Sequence, residues 1–390
     1  QEAYIVAGFR TAVTKSKKGG FRFMRSDELA IEVIKGLMKT LPAVDPKLVD
    51  DVIVGNAVPE AEQGLQFGRI IAAKALGIEV PGITINRYCA SGLESIAMAT
   101  AKIRTGMAEC IIAGGTESMS MVPTAGWKTV PAYSITVDEP DYYLSMGLTA
   151  EAVANEYKIS REDQDAFALA SHQKAKQAID NGYFKKGILP IEINETYINE
   201  KNKRANRTYT IDTDEGVRAD TTIEALAKLK PAFAVKGSVT AGNSSQTSDG
   251  SSFVMVMSEK LMNSLGLKPI GRLVNCASAG VHPRIMGIGP IAAVPKVLKQ
   301  AGMTQDQIDL FELNEAFASQ SLAVIRTLNL DINKVNINGG AIALGHPLGC
   351  TGSKLTVQIL NDLERLNKKY GIVTACVGGG QGIAGIIERF

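Results

Sequence analysis

The segment GITINRYCASGLESIAMA, residues 82 to 99, passes from a short apolar strand pattern into a helix pattern. The same alternation surrounds it over the first 120 residues. The strand patterns are AYIVAGF, VDDVIVGNAV, GITIN and ECIIAGGTESM, and the helix patterns cover residues 27–40, 66–76 and 91–105. Strands that alternate with helices predict a mostly parallel sheet covered by helices. The expected fold class is therefore α/β.

Stretches of the first part of the chain recur, in the same order, in the last part. The pairs are DVIVGNA with DLFELNEA, GITINRYCASGLESIAMA with KVNINGGAIALGHPLGCTGSKLTVQIL, and ECIIAGGTES with GIVTACVGGGQG. Each pair is a weak match, but their common order indicates an internal duplication. We predict two similar α/β halves, over residues 1–262 and 268–390.

The alternation stops between residue 121 and about residue 248, within the first half. This region is mostly polar and irregular, apart from one long helix pattern over residues 161–182 and the charged stretch NEKNKRANRTYTIDTDEG. Long excursions of this kind are usually functional. We predict a loop domain inserted into the first half.

Composition argues against several classes of protein. The chain has 390 residues and a net charge of +2, from 42 Lys and Arg against 40 Asp and Glu, with no basic stripe among aromatic residues. Nucleic acid is therefore not an expected partner. Uncharged stretches such as residues 335–353 are interrupted by Gly, Pro and Asn, so no membrane span is expected. The first residues resemble a strand rather than a signal or transit peptide, and we expect a cytoplasmic protein.

Thiols and imidazoles are few in this chain. Five cysteines are too few for a disulfide framework at this length, and no C-x-x-C pair suggests a zinc site. We therefore expect free thiols and no bound metal. The only candidates for imidazole chemistry are His172, His282 and His346.

Cys89 stands between the strand pattern GITIN and the helix pattern that begins near Ser91. Backbone N–H groups and the positive end of the helix dipole favour a thiolate over a thiol at such a turn. The placement suits a nucleophile. A buried structural cysteine is an equally open interpretation of this stretch, because free cysteines are commonly buried.

His346 lies in the glycine-rich segment NGGAIALGHPLGCTGSK, residues 338–354. Glycines are useful where the backbone must approach a ligand closely. In that setting His346 could take a proton from a thiol and offer an N–H to an oxyanion, although a lone histidine is more often structural. Cys350 is a competing thiol in the same segment, and we favour a packing role for it.

Two further strand ends carry candidate residues. Cys376 ends a β-rich run and precedes three glycines, Gly378 to Gly380, whose N–H groups could converge on an oxyanion. A tight structural turn explains the glycines equally well but leaves Cys376 unexplained. Asn314 ends the strand pattern of FELNEAFA, where a helix N-cap is the simpler interpretation.

These residues together suit chemistry at a carbon–carbon bond beside a thioester. One group must hold the acyl chain covalently, and another must move the proton on the α-carbon. Each carbonyl also needs its own hydrogen-bond donors as charge develops on it. Two thiols with separate sets of donors meet these needs.

At these residues the chain resembles the thiolase family, and the resemblance extends over essentially its whole length. The motifs that carry it are NRYCASGLESIAMA, GGTESMS, NEAFA, NGGAIALGHPLGCTG and CVGGGQGIAG. The resemblance implies that Cys89 is the acylated nucleophile, that His346 activates it and that Cys376 is the acid and base for the α-proton. It also implies that Asn314 orients a water which forms one oxyanion hole with His346. The backbone of Cys89 and Gly378 would form the other.

The resemblance further implies coenzyme A and acyl-CoA as substrates, no separate cofactor, and a homodimer. Arg218, Ser245 and Met146 match positions of the family that contact CoA. For Arg218 and Ser245, a solvated surface arginine and a turn serine remain alternatives.

Within the family the chain leans towards the degradative 3-ketoacyl-CoA thiolases. GHPLGCTG resembles that group more than the GHPIGASG of acetoacetyl-CoA-forming relatives, and Ser145 stands where the latter typically have His. The resemblance therefore implies a ping-pong cleavage of 3-ketoacyl-CoA by CoA in fatty acid β-oxidation. The alternatives are a biosynthetic acetoacetyl-CoA thiolase and a noncatalytic thiolase-like lipid carrier.

Overall fold

Strands and helices alternate along the first half as the sequence predicts. The computed structural model describes residues 1–390. Up to the insertion the elements are β1 (Ala3–Arg10), β2 (Thr14–Lys15), α1 (Ser26–Thr40), β3 (Asp51–Gly55), α2 (Phe67–Leu76), β4 (Gly82–Ile85), α3 (Ser91–Arg104) and β5 (Cys110–Ser118).

The insertion is more regular than its composition suggests. It contains α4 (Tyr133–Asp138), α5 (Met146–Glu156), α6 (Arg161–Asp180), a hairpin of β6 (Ile191–Ile198) and β7 (Arg204–Ile211), and α7 (Ile223–Ala227). The long helix expected over residues 161–182 is confirmed as α6, whereas the charged stretch after it forms much of the hairpin. Pairing between β6 and β7 satisfies backbone groups that an irregular loop would leave to water.

The chain then returns to the sheet and builds the second half. The elements are β8 (Ser248–Ser258), α8 (Glu259–Ser264), β9 (Gly271–Gly280), α9 (Gly289–Ala301), β10 (Leu310–Leu313), α10 (Ala318–Thr327), α11 (Ala341–Leu344), α12 (Thr351–Arg365), β11 (Tyr370–Val377) and β12 (Gln381–Arg389).

The main strands form one sheet in the order β10-β11-β12-β9-β1-β8-β5-β3-β4. In the first half β1, β3, β4 and β5 run one way and β8 runs the other. In the second half only β12 is reversed. The prediction of mostly parallel halves is confirmed with one reversed strand in each. An antiparallel neighbour needs no crossover, and β12 follows β11 after a turn over residues 378–380.

The internal duplication is visible in this strand order. In the first half the order is β4-β3-β5-β8-β1. In the second half a single parallel bridge from Val335 to Phe311 of β10 takes the place of β4, and β10-β11-β12-β9 follow. The two halves meet where Ile5 of β1 pairs with Gly271 of β9.

Side chains that alternate along the strands supply separate cores on the two faces of the sheet. Ile53 faces the core that contains α3 and α12, whereas Val52 and Val54 face the core that contains α1 and α2. A third core packs α9 and α10 against the second half. The helices α3 and α12 therefore lie between the two halves, and the turns before them are brought together at the centre of the molecule.

Candidate active site

Cys89 occupies a short 3₁₀ turn, Tyr88–Ala90, that leads directly into α3. Tyr88 has φ of +44°, which is strained for an aromatic residue. Hydrogen bonds hold this conformation: the Tyr88 N–H donates to Asn86 Oδ1 at 2.8 Å and Ser91 Oγ donates to the Tyr88 carbonyl at 2.7 Å. The turn therefore fixes the direction of the Cys89 side chain.

The sulfur of Cys89 is buried among Ala57, Met119 and Leu348. Burial raises the pKa of Cys89 to about 12, and the backbone N–H groups of Gly378 and of Cys89 itself oppose that rise. The expectation that the helix N-terminus leaves Cys89 as a thiolate is therefore wrong for the resting protein. Loss of water around the sulfur outweighs the nearby N–H groups, so a base must remove its proton.

His346 lies in the segment of residues 340–349, which we call the histidine segment. Its Nδ1 lies 2.6 Å from Thr351 Oγ1, whose own proton goes to the Pro347 carbonyl at 3.0 Å. Thr351 must therefore accept from Nδ1–H, which assigns the tautomer with a bare Nε2. Burial lowers the pKa of His346 to about 3, with the Lys354 charge as a further cause. The imidazole is thus a neutral base at physiological pH.

The backbone of the histidine segment is anchored to the start of β8. Gly345 has φ of +100°, and a Cβ there would collide with the Ser248 side chain. The His346 N–H donates to the Gln246 carbonyl at 3.1 Å and to Ser248 Oγ at 3.2 Å. The close approach requires a glycine and fixes the imidazole relative to the first half.

Asn314 follows β10 and contacts His346. Its Nδ2 donates to His346 Nε2 at 3.3 Å, and its backbone N–H donates to the Thr374 carbonyl at 2.9 Å. The simple N-cap interpretation does not apply, because α10 begins at Ala318 with Phe317 at the N-cap. The buried Oδ1 of Asn314 has no hydrogen-bond partner, which leaves it available as an acceptor.

Cys376 lies in β11, one residue before its end, and is almost completely buried. Burial raises the pKa of Cys376 well above its usual value, and the charge of Cys89 is the next cause. The two thiols are therefore close enough for their charges to interact. A Cβ on Gly378 would lie 3.5 Å from the Tyr88 ring and 3.6 Å from Met146 Sδ. This turn thus meets both the Cys89 turn and the start of α5.

The three residues expected to contact CoA lie at different depths. Met146 is half-buried and packs on the cluster that contains Cys376. Ser245 is half-buried, and its N–H donates to the Ala316 carbonyl at 2.9 Å, beside the strand end of Asn314. Arg218 is exposed on the loop domain, where it lines a cavity of about 410 Å³ with residues of α6. The structure brings Met146 and Ser245 beside the buried residues and leaves Arg218 at the surface.

Reasoning from the sequence missed three residues that support the site. Thr351 orients His346, and two buried carboxylates hold the histidine segment. Glu117 accepts from the Gly349 N–H at 2.9 Å, and Glu315 accepts from the Ile342 N–H at 3.2 Å. Both glutamates follow recognisable strand patterns, in GGTESM and NEAFA, so a search for acids at strand ends would have found them.

Two general properties of the molecule concern metal ions and membranes. No group of three or more His, Cys, Asp or Glu side chains is arranged to hold a metal ion. None of the helices combines the length and the apolar composition needed to cross a bilayer.

Comparisons with known proteins agree with this geometry. Residues 3–260 match the family model of the thiolase N-terminal domain and residues 267–389 that of the thiolase C-terminal domain. A 3-ketoacyl-CoA thiolase of Bacillus subtilis is 51% identical over 389 residues, covering 100% of this chain and 99% of that protein. An acetyl-CoA acetyltransferase of Pseudomonas aeruginosa is 44% identical over 404 residues, covering 100% of both chains.

Solved structures give the same result. The crystal structure of human mitochondrial 3-ketoacyl-CoA thiolase superposes with a TM-score of 0.90 at 39% identity, covering 100% of this chain and 99% of the human chain. Sequence identity over the full length, both family models and the shared fold agree. The chain belongs to the thiolase family and is an acyltransferase.

Proposed function

We propose that this thiolase is a cytoplasmic 3-ketoacyl-CoA thiolase of fatty acid β-oxidation, with the acyl chain carried on Cys89. The observation that carries the proposal is the pair of buried thiols, which lie close enough that a negative charge on Cys89 would raise the pKa of Cys376. The Gly378 N–H donates to the Cys89 sulfur. Asn314, after β10, and His346, in the histidine segment, form a hydrogen-bonded pair. Carbon–carbon cleavage beside a thioester needs both a covalent carrier and a separate proton donor.

In the first half-reaction the Cys89 proton passes to the unprotonated Nε2 of His346, where it replaces the hydrogen bond from Asn314, and the sulfur attacks the 3-keto carbon. The bond between C2 and C3 then breaks, and its electron pair stays on C2 as the enolate of acetyl-CoA. Cys376 donates its proton to C2. Acetyl-CoA leaves, the shortened acyl group remains on Cys89, His346 carries a proton and Cys376 is a thiolate.

In the second half-reaction the Cys376 thiolate takes the proton of a CoA thiol, and the CoA sulfur attacks the acyl carbon. The Cys89 sulfur leaves and recovers its proton from His346, so every group returns to its starting state. The N–H groups of Cys89 and Gly378 would stabilise one oxyanion, and His346 with the water on Asn314 the other. Such preorganised donors commonly contribute more than any other single effect.

Substrate and partner contacts follow from the same proposal. The positive charge of Arg218 suits the phosphates of CoA, and we expect Met146, which packs on the cluster that contains Cys376, and Ser245 to contact the pantetheine. For the expected homodimer, β4 is the edge strand of the sheet in the first half, and Ile83 on it is 43% exposed. Free edges pair readily with a second strand, so we propose that β4 of two copies pair.

The test of the reaction is an initial-rate survey of thiolysis on 3-ketoacyl-CoA substrates from four to sixteen carbons. We expect kcat/KM to rise from four carbons to medium chains, because each buried methylene adds about 0.8 kcal/mol of transfer free energy. Ser145 is exposed at the N-cap of α5, next to Met146. Ser145→Asn is a bulkier polar variant, and we expect it to reduce the preference for longer chains.

The second candidate is a biosynthetic acetoacetyl-CoA thiolase, favoured by the similarity to the Pseudomonas acetyl-CoA acetyltransferase reported above. A strong preference for the four-carbon substrate would favour that function and contradict ours. A flat profile would leave Ser145 without a role in selectivity. If the protein turned over none of these substrates, the noncatalytic lipid carrier would become the favoured function. The presence of four polar site residues argues against it: Cys89, His346, Cys376 and Asn314.

A further inference from the structure

Glu117 is a buried carboxylate that the proposed reaction does not use. Its Oε2 accepts N–H groups from Ala57 at 2.8 Å and Gly349 at 2.9 Å. Its Oε1 accepts from the side-chain amides of Gln63 at 2.7 Å and Asn56 at 3.2 Å. All four partners are N–H donors, and none offers the acceptor that a protonated carboxyl would need. Burial raises the pKa of Glu117, but these donors oppose the rise, and the geometry is that of a bound anion.

This carboxylate joins the surroundings of Cys89 to the histidine segment. Ala57, which donates to it, belongs to the same small buried cluster as Cys89, and so does Leu348. Gly349, the other backbone donor, is the next residue after Leu348 and ends the histidine segment. The Glu117 side chain, in the first half, thus holds both Ala57, in the buried cluster of the nucleophile, and the histidine segment, which carries the base.

The packing around Gly349 leaves little room for any other arrangement. A Cβ at this position would lie 2.7 Å from Asn56 Cα and 2.9 Å from Glu117 Oε2. A Cβ on Gly115, in the same strand as Glu117, would collide with the Gly349 carbonyl. The two backbones therefore approach closely around the carboxylate, so its loss would leave buried N–H groups without acceptors.

A buried anion also acts on the charge of its neighbours. Glu117 is among the causes that raise the pKa of Cys89, after burial itself. The other titratable group that interacts with Cys89 is Cys376 from β11, which is a thiol at rest. Lys354 on α12 acts on His346 and Cys350 instead. Glu117 is therefore the one fixed charge that acts on the nucleophile.

We propose that Glu117 is a positioning residue that holds the histidine segment against the residues packed around Cys89 and, as a buried anion, further disfavours the Cys89 thiolate beyond the effect of burial. The inference rests on the proposed function only in taking Cys89 as the nucleophile. A resting thiol is protected from oxidation and alkylation, because the thiolate is the reactive form.

The first test measures the rate at which iodoacetamide alkylates Cys89 at pH 8, followed by peptide mass spectrometry. Glu117→Gln removes the charge and nearly keeps the shape, whereas Glu117→Asp keeps the charge and shortens the side chain. We expect alkylation of Glu117→Gln to be severalfold faster than that of the wild type, because loss of the buried charge lowers the pKa of Cys89. Glu117→Asp should show no such rise. Equal acceleration in both variants would mean that looser packing exposes the thiol, and would overturn the electrostatic role.

Glu315→Gln is the matched control for this measurement. Glu315 accepts from the Ile342 N–H and from Ser171 Oγ, so it braces the other end of the histidine segment, and its charge does not act on Cys89. We expect its alkylation rate to equal that of the wild type. Acceleration in this control would show that any loosening of the segment exposes Cys89, and would also overturn the electrostatic role.

The second test measures thiolysis. Both Glu117 variants should lose kcat by about 10²-fold, the cost of displacing reacting groups by roughly 1 Å, with a smaller change in KM. Wild-type kcat in Glu117→Asp would overturn the positioning role. If Glu117→Gln does not fold, Glu117→Asp decides alone: the proposal requires low kcat with wild-type alkylation. If the wild type itself shows no thiolysis, the proposed function fails, and alkylation still decides the electrostatic role.

Discussion

Cys89 and Cys350 lie in corresponding turns of the two halves of the duplicated fold, Cys89 as the second residue of its turn and Cys350 as the third. Each lies in a three-residue 3₁₀ turn, Tyr88–Ala90 or Leu348–Cys350, that leads into one of the two central helices. Both thiols are buried, and burial raises the pKa of each to about 12. Their own turns therefore do not distinguish them.

The groups that surround Cys89 and Cys350 do distinguish the two thiols. Cys89 faces the N–H of Gly378, and its charge acts on the second thiol, Cys376. Cys350 is influenced by the charges of Lys354 and Arg10, which lower its pKa, and by those of Glu117 and Asp214, which raise it. The second half contributes His346, which precedes Cys350 by four residues. A turn before a helix is thus not sufficient for a nucleophile, and the groups that lie across from it decide which thiol can react.

The strongest test of this difference is Cys89→Ala. We expect turnover and acylation to fall to background, because Cys350 lacks the facing donors and Cys376 is placed for proton transfer. Mass spectrometry after incubation with acyl-CoA should find the adduct on Cys89 in the wild type and on no residue in the variant. An adduct on Cys350 or Cys376 in the wild type would refute the assignment.

His346→Asn tests whether His346, in the second half, is the base that removes the Cys89 proton. Asparagine cannot accept a proton, so we expect acylation of Cys89 to slow by about 10²–10⁴-fold, the usual contribution of positioned proton transfer. Single-turnover acylation followed by mass spectrometry measures this step. An unchanged rate would mean that another group removes the Cys89 proton.

Cys376→Ser separates the carrier from the proton donor. We expect Cys89 still to be acylated by acyl-CoA, while thiolysis of 3-ketoacyl-CoA falls by about 10²–10⁴-fold because serine is a poor acid for the enolate. The two assays on one preparation provide mutual controls. Thiolysis at the wild-type rate would remove Cys376 from the mechanism.

The acid side of the pH profile tests the state of the base. Burial lowers the pKa of His346 to about 3, so the imidazole should remain neutral as the pH falls from 8 to 5. We therefore expect no decline in the acylation rate centred near pH 6.5, the value of an unperturbed histidine. A loss centred there that disappears in His346→Asn would show that the imidazole has its ordinary pKa.

Cys350→Ala should have the smallest effect. The thiol is buried and packs before α12, so we expect a loss of about 1 kcal/mol in the free energy of unfolding and wild-type kcat/KM. Urea unfolding and the thiolysis assay measure the two quantities. A large loss of kcat/KM without loss of stability would give Cys350 a role that its surroundings do not suggest.

Local patterns in the sequence determined the α/β class, the duplication, the long helix of the insertion and the position of Cys89 before α3. Each depends on residues that are neighbours along the chain, such as the apolar period of GITIN and the helix pattern after it. Such patterns carry their information without knowledge of the fold. The recurrence of three motif pairs in the same order could likewise be recognised from the sequence.

Only the tertiary structure decided how the site works. The contacts between His346 and Asn314, between Gly378 and Tyr88, and between Glu117 and Gly349 join residues that lie far apart in the chain. Burial, which no local pattern measures, reversed the expectation of a Cys89 thiolate and made a separate base necessary. A pKa depends on the water and charge that the whole fold places around a group, so it could not be deduced from the turn alone.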